Sequence, residues 1–332
     1  MKKNLVLTLA AALLIITVGC GDSKSPTLTY VARSSSDNYI PHPFMLNEST
    51  QQTTAISIPL PDSAEYVSFN SDATAATYCR DGDSGWDIFL MGTDGVEKEL
   101  TTGADACESV FSPDGKTIAF VSYQSDLQVF TMNADGSNQA PLLTLDPGWE
   151  QYYPEFSPNG KSIAFYVYSN SAKSAARLHG SLGTSLWATQ KPVRTSQSRR
   201  ASVAPVSVSA DGIYMMSIGD TAPTLVYSPD SLWGPAVFTG DGKGVLFTQY
   251  DGTEDNIFSV SLDGSNLTPL TTSTDTYNIS AVPYKNLIVF NRPHDDSGWD
   301  IYVMNQDGSN QVLVHSTEGV FESLQDSNCC GD

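Results

Sequence analysis

Phe111-Ser112-Pro113-Asp114-Gly115-Lys116-Thr117-Ile118-Ala119-Phe120-Val121-Ser122 reads as a strand end, a tight turn and an apolar strand, and the chain repeats it with small variations. It returns as Phe156 to Lys161 followed by Ile163 to Tyr166, and as Phe238 to Lys243 followed by Val245 to Phe247. A second phrase recurs downstream. It is Asp87-Ile88-Phe89-Leu90-Met91 before Asp94-Gly95, Val129-Phe130-Thr131-Met132 before Asp135-Gly136, and Asp300-Ile301-Tyr302-Val303-Met304 before Asp307-Gly308. The spacing is 42 residues from Phe69 to Phe111, and 45 both from Phe111 to Phe156 and from Phe238 to Pro283. A period of that size belongs to radially repeated four-stranded units rather than to one domain of unique parts.

Within each unit, alternating β-rich runs are bounded by Gly, Asp, Asn and Pro, the composition of short antiparallel strands. Strand one ends in the Ser-Pro-Asp-Gly turn, where Pro presets φ and Gly accepts a positive one. Strand two is the Ile-Ala-Phe run and strand three the Asp-Ile-Phe run. An Asp-Gly pair then folds strand three onto a short Leu-Thr strand four, seen at Leu100-Thr101, Leu143-Thr144 and Leu270-Thr271, with Leu313-Val314 in the last copy.

The expected fold is therefore an all-β propeller. Units start near Val67, Val110, Pro154, Val206, Val237 and Val282, the one from Val206 being degenerate. A seventh is split: Leu28 to Ala32, Pro43 to Leu46 and Ala55 to Ile58 supply strands two to four, and Val320 to Leu324 a lone strand one. Joining the two would close the ring and remove its exposed sheet edges. The count predicts seven blades, with six as the alternative because the repeat decays between Ala172 and Trp233.

The pattern Phe111 to Ser122, followed by Gly-Trp-Asp-Ile-Tyr-Val-Met-Asn-x-Asp-Gly-Ser as at Gly298 to Ser309, resembles the TolB-like (WD40-like) propeller repeat, over nearly the whole chain after residue 27. The resemblance implies a binding propeller of the cell envelope. The α/β domain that precedes the propeller in TolB has no counterpart, since only Gly21 to Thr27 come before the first expected strand.

The first 19 residues read as a signal peptide. Lys2 and Lys3 precede an apolar stretch from Leu5 to Val18, shorter than the roughly 20 residues that span a bilayer as a helix. Val18-Gly19-Cys20 is similar to a lipoprotein lipobox, which implies acylation of Cys20 and a lipidated tether over 20–27. The propeller is then 28–325 and the tail 326–332. Such an anchor places the chain on the periplasmic side of the outer membrane. With 37 acidic and 17 basic side chains the net charge is -20, a balance that repels nucleic acid. Lys191, Arg194, Arg199 and Arg200 lie among serines and threonines and read as a solvated loop.

No catalytic constellation stands out. Gly82-Asp83-Ser84-Gly85 imitates a serine-protease motif, but Asp296-Ser297-Gly298-Trp299-Asp300 repeats its position in another unit, so it reads as scaffold. No Gly-x-Ser-x-Gly elbow is present. His42, His179, His294 and His315 lack ligand spacing, and the Asp-Gly turns lack the full ligand series of a calcium loop, so neither cofactor nor metal is expected. Cys79 ends a strand two and Cys107 precedes the next strand one, which puts both on one face of the ring and makes a bridge between them a candidate. Cys329 and Cys330 fall on the opposite face.

On the mouth formed by the two-to-three loops and interblade connections the sequence places Arg80, Glu108, Tyr123, Trp149, Tyr152, Tyr153, Tyr168, Tyr250, Tyr277, Arg292 and His294. Tyr, Trp and Arg are the residue types that anchor interfaces. Trp86 and Trp299 occupy equivalent repeat positions and are assigned to packing. The expectation is a monomeric, non-catalytic module for a protein, peptide or glycan partner, the alternative being a lyase or glycosidase on the same scaffold.

Overall fold

The computed structural model describes residues 15–17, 27–32, 41–47, 52–83, 85–123, 127–169, 205–229, 231, 233–250, 252–273, 279–284, 286–294 and 298–315. Four strands come first, β1 (Ile15–Thr17), β2 (Thr27–Ala32), β3 (His42–Asn47) and β4 (Gln52–Ala55), paired in that order. Blade one is β5 (Glu65–Phe69), β6 (Ala75–Gly82), β7 (Gly85–Gly92) and β8 (Glu97–Glu99). Blade two is β9 (Ala106–Phe111), β10 (Thr117–Ser122), β11 (Gln128–Asn133) and β12 (Ala140–Pro141). Blade three is β13 (Trp149–Phe156), β14 (Ser162–Ser169), β15 (Gly212–Ser217) and β16 (Thr224–Tyr227). Blade four is β17 (Trp233–Phe238), β18 (Gly244–Tyr250), β19 (Asp255–Ser261) and β20 (Thr268–Pro269), and blade five is β21 (Ile279–Tyr284), β22 (Leu287–His294), β23 (Gly298–Asn305) and β24 (Val312–His315).

The propeller thus has five four-stranded blades, which corrects the expected seven and the alternative of six. Two physical reasons account for the difference. The units counted from Pro154 and Val206 are one blade, because β14 pairs with β15 across a long insertion, Ser162 opposite Ser217 and Val167 opposite Gly212. The split unit is counted apart: its strands form a separate four-stranded sheet in which β1, from the expected signal peptide, takes the edge beside β2, with Ile15 opposite Val31. Val320 to Leu324 lie outside the described residues.

Adjacent blades press face to face, which explains why strand two is apolar on both sides. Ile118 and Phe120 join the core shared with blade one, beside Ile88 and Leu100. Ala119 and Val121 face the other way, into the seam with Phe156, Phe165 and Val167. Four blades add a stacked pair of rings between strands two and three: Tyr78–Phe89, Phe120–Phe130, Phe247–Phe258 and Phe290–Tyr302, with centroids 5.6 to 6.0 Å apart.

The recurring Asp-Ile-Phe and Leu-Thr phrases prove to be two halves of one clasp. Buried Asp87 accepts hydrogen bonds from the Thr101 hydroxyl at 2.8 Å and from the Gly103 and Ala104 amides at 2.8 and 3.1 Å. Thr101 in turn accepts from the Ile88 amide at 2.9 Å. Asn256 and Thr271 repeat the arrangement in blade four. In blade two Gln151 reaches over from the next blade, accepting from the Val129 amide at 3.2 Å.

The turns are built as locally. Ser112 donates to Asp114, which also accepts from the Lys116 amide, and Asn159 and Asp241 do the same in their blades. In the three-to-four turns Asp135, Asp263 and Asp307 each accept from the hydroxyl and amide of the serine two residues on. These hydrogen bonds hold the carboxyl pKa values below the usual aspartate range. Two such turns need glycine for a further reason. Gly308 (φ 82) lies so close to the Leu270 backbone of the preceding blade that a Cβ would collide with it, and at Gly136 (φ 84) a Cβ would press on the Leu100 backbone at 3.1 Å.

Replacing Asp87 with Ala leaves the Thr101 hydroxyl and two amides without their acceptor. The expected cost is about 3 kcal/mol or more in chemical denaturation, against a much smaller one for exposed Asp263→Ala. Equal midpoints for the two variants would contradict the clasp.

Candidate functional site

Every inner strand slips register at one place near its start, between the partners of Glu65/Ser68, Val110/Cys107, Tyr152/Glu155, Trp233/Val237 and Ile279/Val282. These are β-bulges, which bend a strand and re-aim a side chain. In blade four the positive φ falls on Gly234, where it costs little. In blades one to three it falls on Tyr66 (φ 49), Glu108 (φ 53) and Tyr153 (φ 51), each three residues before the strand-ending Phe. A bulky residue held there costs on the order of 1–3 kcal/mol, a strain that concentrates at functional sites.

The bulge at Tyr153 overrides the alternation of a strand, so Tyr152 and Tyr153 present neighbouring rings, 6.2 Å apart. Tyr153 meets Tyr166 edge-on at 6.0 Å, Tyr166 meets Tyr168 at 6.1 Å, and Tyr168 meets Tyr152 at 5.8 Å, closing a circuit of four rings. Tyr166 is buried, whereas Tyr152, Tyr153 and Tyr168 are half-buried. Two buried carboxylates join them. Glu108 accepts the Tyr153 amide hydrogen at 2.8 Å, tying one bulge to the next across the blade seam, and Glu150 accepts from the Tyr152 hydroxyl at 2.5 Å. All lie where strands two end and inner strands begin, the end of the ring that carries the two-to-three loops.

Burial pushes the hydroxyl pKa values of Tyr123, Tyr152, Tyr153, Tyr166 and Tyr168 up. The Glu108 charge adds to the effect at Tyr123 and Tyr153, the bond to Glu150 at Tyr152, and the charge of Asp211 at Tyr168.

The structure thus brings together Glu108, Tyr123, Tyr152, Tyr153 and Tyr168 from the set read in the sequence. Trp149 and Tyr123 each pack against the core in the seam between blades two and three. Arg80 and Arg292 sit at the same position of strand two and act alike. Arg80 lies 3.9 Å from the Phe89 ring centroid and pairs with Glu97 at 2.7 Å, while Arg292 lies 4.5 Å from that of Tyr302 and donates to Gln311 at 2.6 Å. Each ties strand two to the segment entering strand four. Tyr250 is exposed at the end of β18. Tyr277, Cys20, Cys329, Cys330 and the side chain of His294 lie outside the described residues.

Sequence reading missed Tyr66, Glu150 and Tyr166. Their signal is positional: Tyr66 stands three residues before Phe69, as Glu108 and Tyr153 stand before Phe111 and Phe156. Cys79 and Cys107 are joined as a disulfide between blades one and two, with Cα atoms 5.2 Å apart, one residue before Glu108. Gly82 and Gly85 face each other in the β6–β7 hairpin, so the protease-like stretch is a turn; Ser84 lies outside the described residues. Among the described residues, no group of three or more His, Cys, Asp or Glu could hold a metal ion.

In alkaline titration followed by tyrosinate absorbance, the clustered tyrosines are expected to stay silent through the ordinary range near ~10 and to ionise only as the protein unfolds. The folded state holds their protons more tightly than the unfolded chain, so their contribution to stability is complete below that range and is lost as the pH rises through it. All 15 tyrosines titrating reversibly near ~10 would contradict this burial.

Compared by sequence, the chain matches no family profile and no curated protein. Its fold is similar to that of a putative TolB from Agrobacterium tumefaciens, at 15% identity over 84% of this chain and 92% of that one, with a TM-score of 0.58. TolB from Acinetobacter baumannii gives 16% identity over 90% of this chain and 66% of that one, with a TM-score of 0.60. An oligogalacturonate lyase from Vibrio parahaemolyticus gives 11% identity over 91% of this chain and 72% of that one, with a TM-score of 0.53. The repeat, the blades and these likenesses agree: the chain has a TolB-like β-propeller fold.

Proposed function

We propose that this chain is a binding module of the cell envelope, tethered by lipid on Cys20, which recognises a protein or peptide at the tyrosine-lined end of its ring. The observation that carries the reading is the pair of linked bulges: the fold holds Glu108 and Tyr153 at positive φ, whereas the bulge of blade four gives its positive φ to Gly234. Backbone strain of that kind is kept where it positions groups for an encounter. Half-buried tyrosines on rigid strands suit such a surface, since each offers a large contact area at little entropic cost. Recognition is assigned to Tyr123, Tyr152, Tyr153 and Tyr168 with Glu108, while Arg80 and Arg292 serve as internal clamps.

A carbohydrate-active enzyme is the second reading. One observation favours it: the Tyr152 hydroxyl and Glu150 carboxylate form a proton donor–acceptor pair at the mouth.

Full-length chain extracted in detergent and used as bait in envelope extract is expected to retain a specific partner. Tyr152→Ala and Tyr168→Ala are expected to reduce capture about tenfold, with unchanged thermal midpoints within about 5 °C. Undiminished capture by both variants would overturn the placement of the site. Turnover of a panel of acidic and neutral oligosaccharides, lost in Glu150→Gln, would replace the binding reading with the enzymatic one.

A further inference from the structure

Three bulges lie in series around this end of the ring, and each begins at the same register position. Glu65 is opposite Cys79, Cys107 opposite Val121 and Tyr152 opposite Tyr166, and after each pair the register slips. The next residue of each inner strand is the one at positive φ: Tyr66, Glu108 and Tyr153. A side chain is kept in that conformation only where its surroundings impose it. At Tyr153 one restraint is the Glu108 carboxylate, which accepts the amide hydrogen. The hydroxyls of Tyr123 and Tyr153 both feel Tyr66 and Glu108, so the bulges converge on one region.

The position of the disulfide matches this series. Cys79 faces the residue before Tyr66, and Cys107 is the residue before Glu108, so the bond joins two blades at the last paired residue ahead of each bulge. Val121 and Tyr152 hold the corresponding places in the next seam, where no covalent bond can form. On the other side of Glu108, Ser109 is buried and its hydroxyl has no hydrogen-bond partner, so it lends the bulge no side-chain bond. Stability alone is a weaker account of the cross-link. A disulfide acts largely on the unfolded chain, and it would do so as well at a site remote from any strained residue.

We infer that the Cys79–Cys107 disulfide is the positioning device of the mouth: it holds Cys107 against blade one, keeps Glu108 turned toward blade three, and through the Tyr153 amide sets Tyr152 and Tyr153 side by side. The mouth is assembled in the oxidised chain and slack in the reduced one; its use by a partner rests on the reading of that end of the ring as the partner site. The bond forms by exchange with a disulfide of a thiol oxidoreductase. One cysteine thiolate attacks that disulfide, the other displaces the mixed disulfide, and the oxidoreductase leaves as a dithiol carrying the two electrons and two protons.

The test compares the full-length chain in detergent with its Cys79→Ala/Cys107→Ala variant by hydrogen exchange at single amides, observed by NMR. In the variant the Tyr153 amide is expected to exchange about tenfold faster or more, while those of Leu142 and Leu270, bonded to the Val129 and Ile257 carbonyls at 2.8 Å, keep their rates. Wild-type chain folded and held in dithiothreitol, its free thiols confirmed by mass after alkylation, is expected to behave as the variant does. Glu108→Ala with the bond intact is expected to free the Tyr153 amide too, which marks Glu108 as the relay. An unchanged Tyr153 rate in both disulfide-free chains, or rates that rise equally at all three amides, would overturn the inference, since a bond serving stability alone gives either. A chain that folds in neither form would overturn it as well, because the bond would then be a requirement of the blades. Capture from envelope extract separates the two readings: faster Tyr153 exchange with undiminished capture moves the partner site elsewhere and leaves the positioning role, whereas capture about tenfold weaker supports both.

Discussion

A buried carboxylate at the start of a strand is an expensive group, and this fold is organised around satisfying it. Asp87 is fully buried and receives one hydroxyl and two amides, all from the chain that leaves its blade for the next. The bonds fix where strand four ends and how the connection departs. Register inside the blade and direction toward the next blade are therefore set together. Asn256 does the same with a neutral amide, so geometry rather than charge is the constant requirement. Where blade two carries Gln128 at this position, Gln151 of blade three accepts the Val129 amide, the part that Thr101 plays for Ile88 in blade one, making the clasp an interblade bond.

With the blades fixed, the seams between them determine what the inner strands can do. A sheet buried on both faces gives no freedom to strand two, whose residues are apolar on either side. The freedom that remains lies at the entrance to strand one, where the register slips. There Glu108 and Tyr153 reach across a seam to each other, and the disulfide from Cys79 to Cys107 pins the residue next to Glu108. Blades one, two and three are thus joined at one end of the ring by a covalent bond and a charge-assisted hydrogen bond in series.

Fold class was legible because the repeat is chemical as well as periodic: Pro, Asp and Gly fall where turns demand them, and Asp and Thr where the clasp does. The number of blades was not. In blade three the hairpin partner of Ser162 is Ser217, and nothing in the intervening residues signals that strand three is still to come. A break in period looks the same whether a blade has been added or interrupted. The site was half legible. Tyr152, Tyr153 and Tyr168 stood out as aromatic residues at loop ends, but strict strand alternation would place Tyr152 and Tyr153 on opposite faces, and only the bulge brings them together. Arg80 and Arg292 looked like interface anchors because a cation over an aromatic ring is the same motif whether the ring belongs to a partner or to the next strand.

The close approach of Gly136 to Leu100, and of Gly308 to Leu270, bears on the whole circle. Each turn rests directly on the backbone of the blade before it, so the thickness of the spacer between blades at those points is that of a bare peptide. A side chain there would act as a wedge, and a wedge between two blades opens the angle between them. In a ring of few blades each step is large, and an error in one must be shared by the others or appear as a gap. The missing side chains at these turns are in that sense a dimension of the protein: they set the pitch at which its blades advance around the axis.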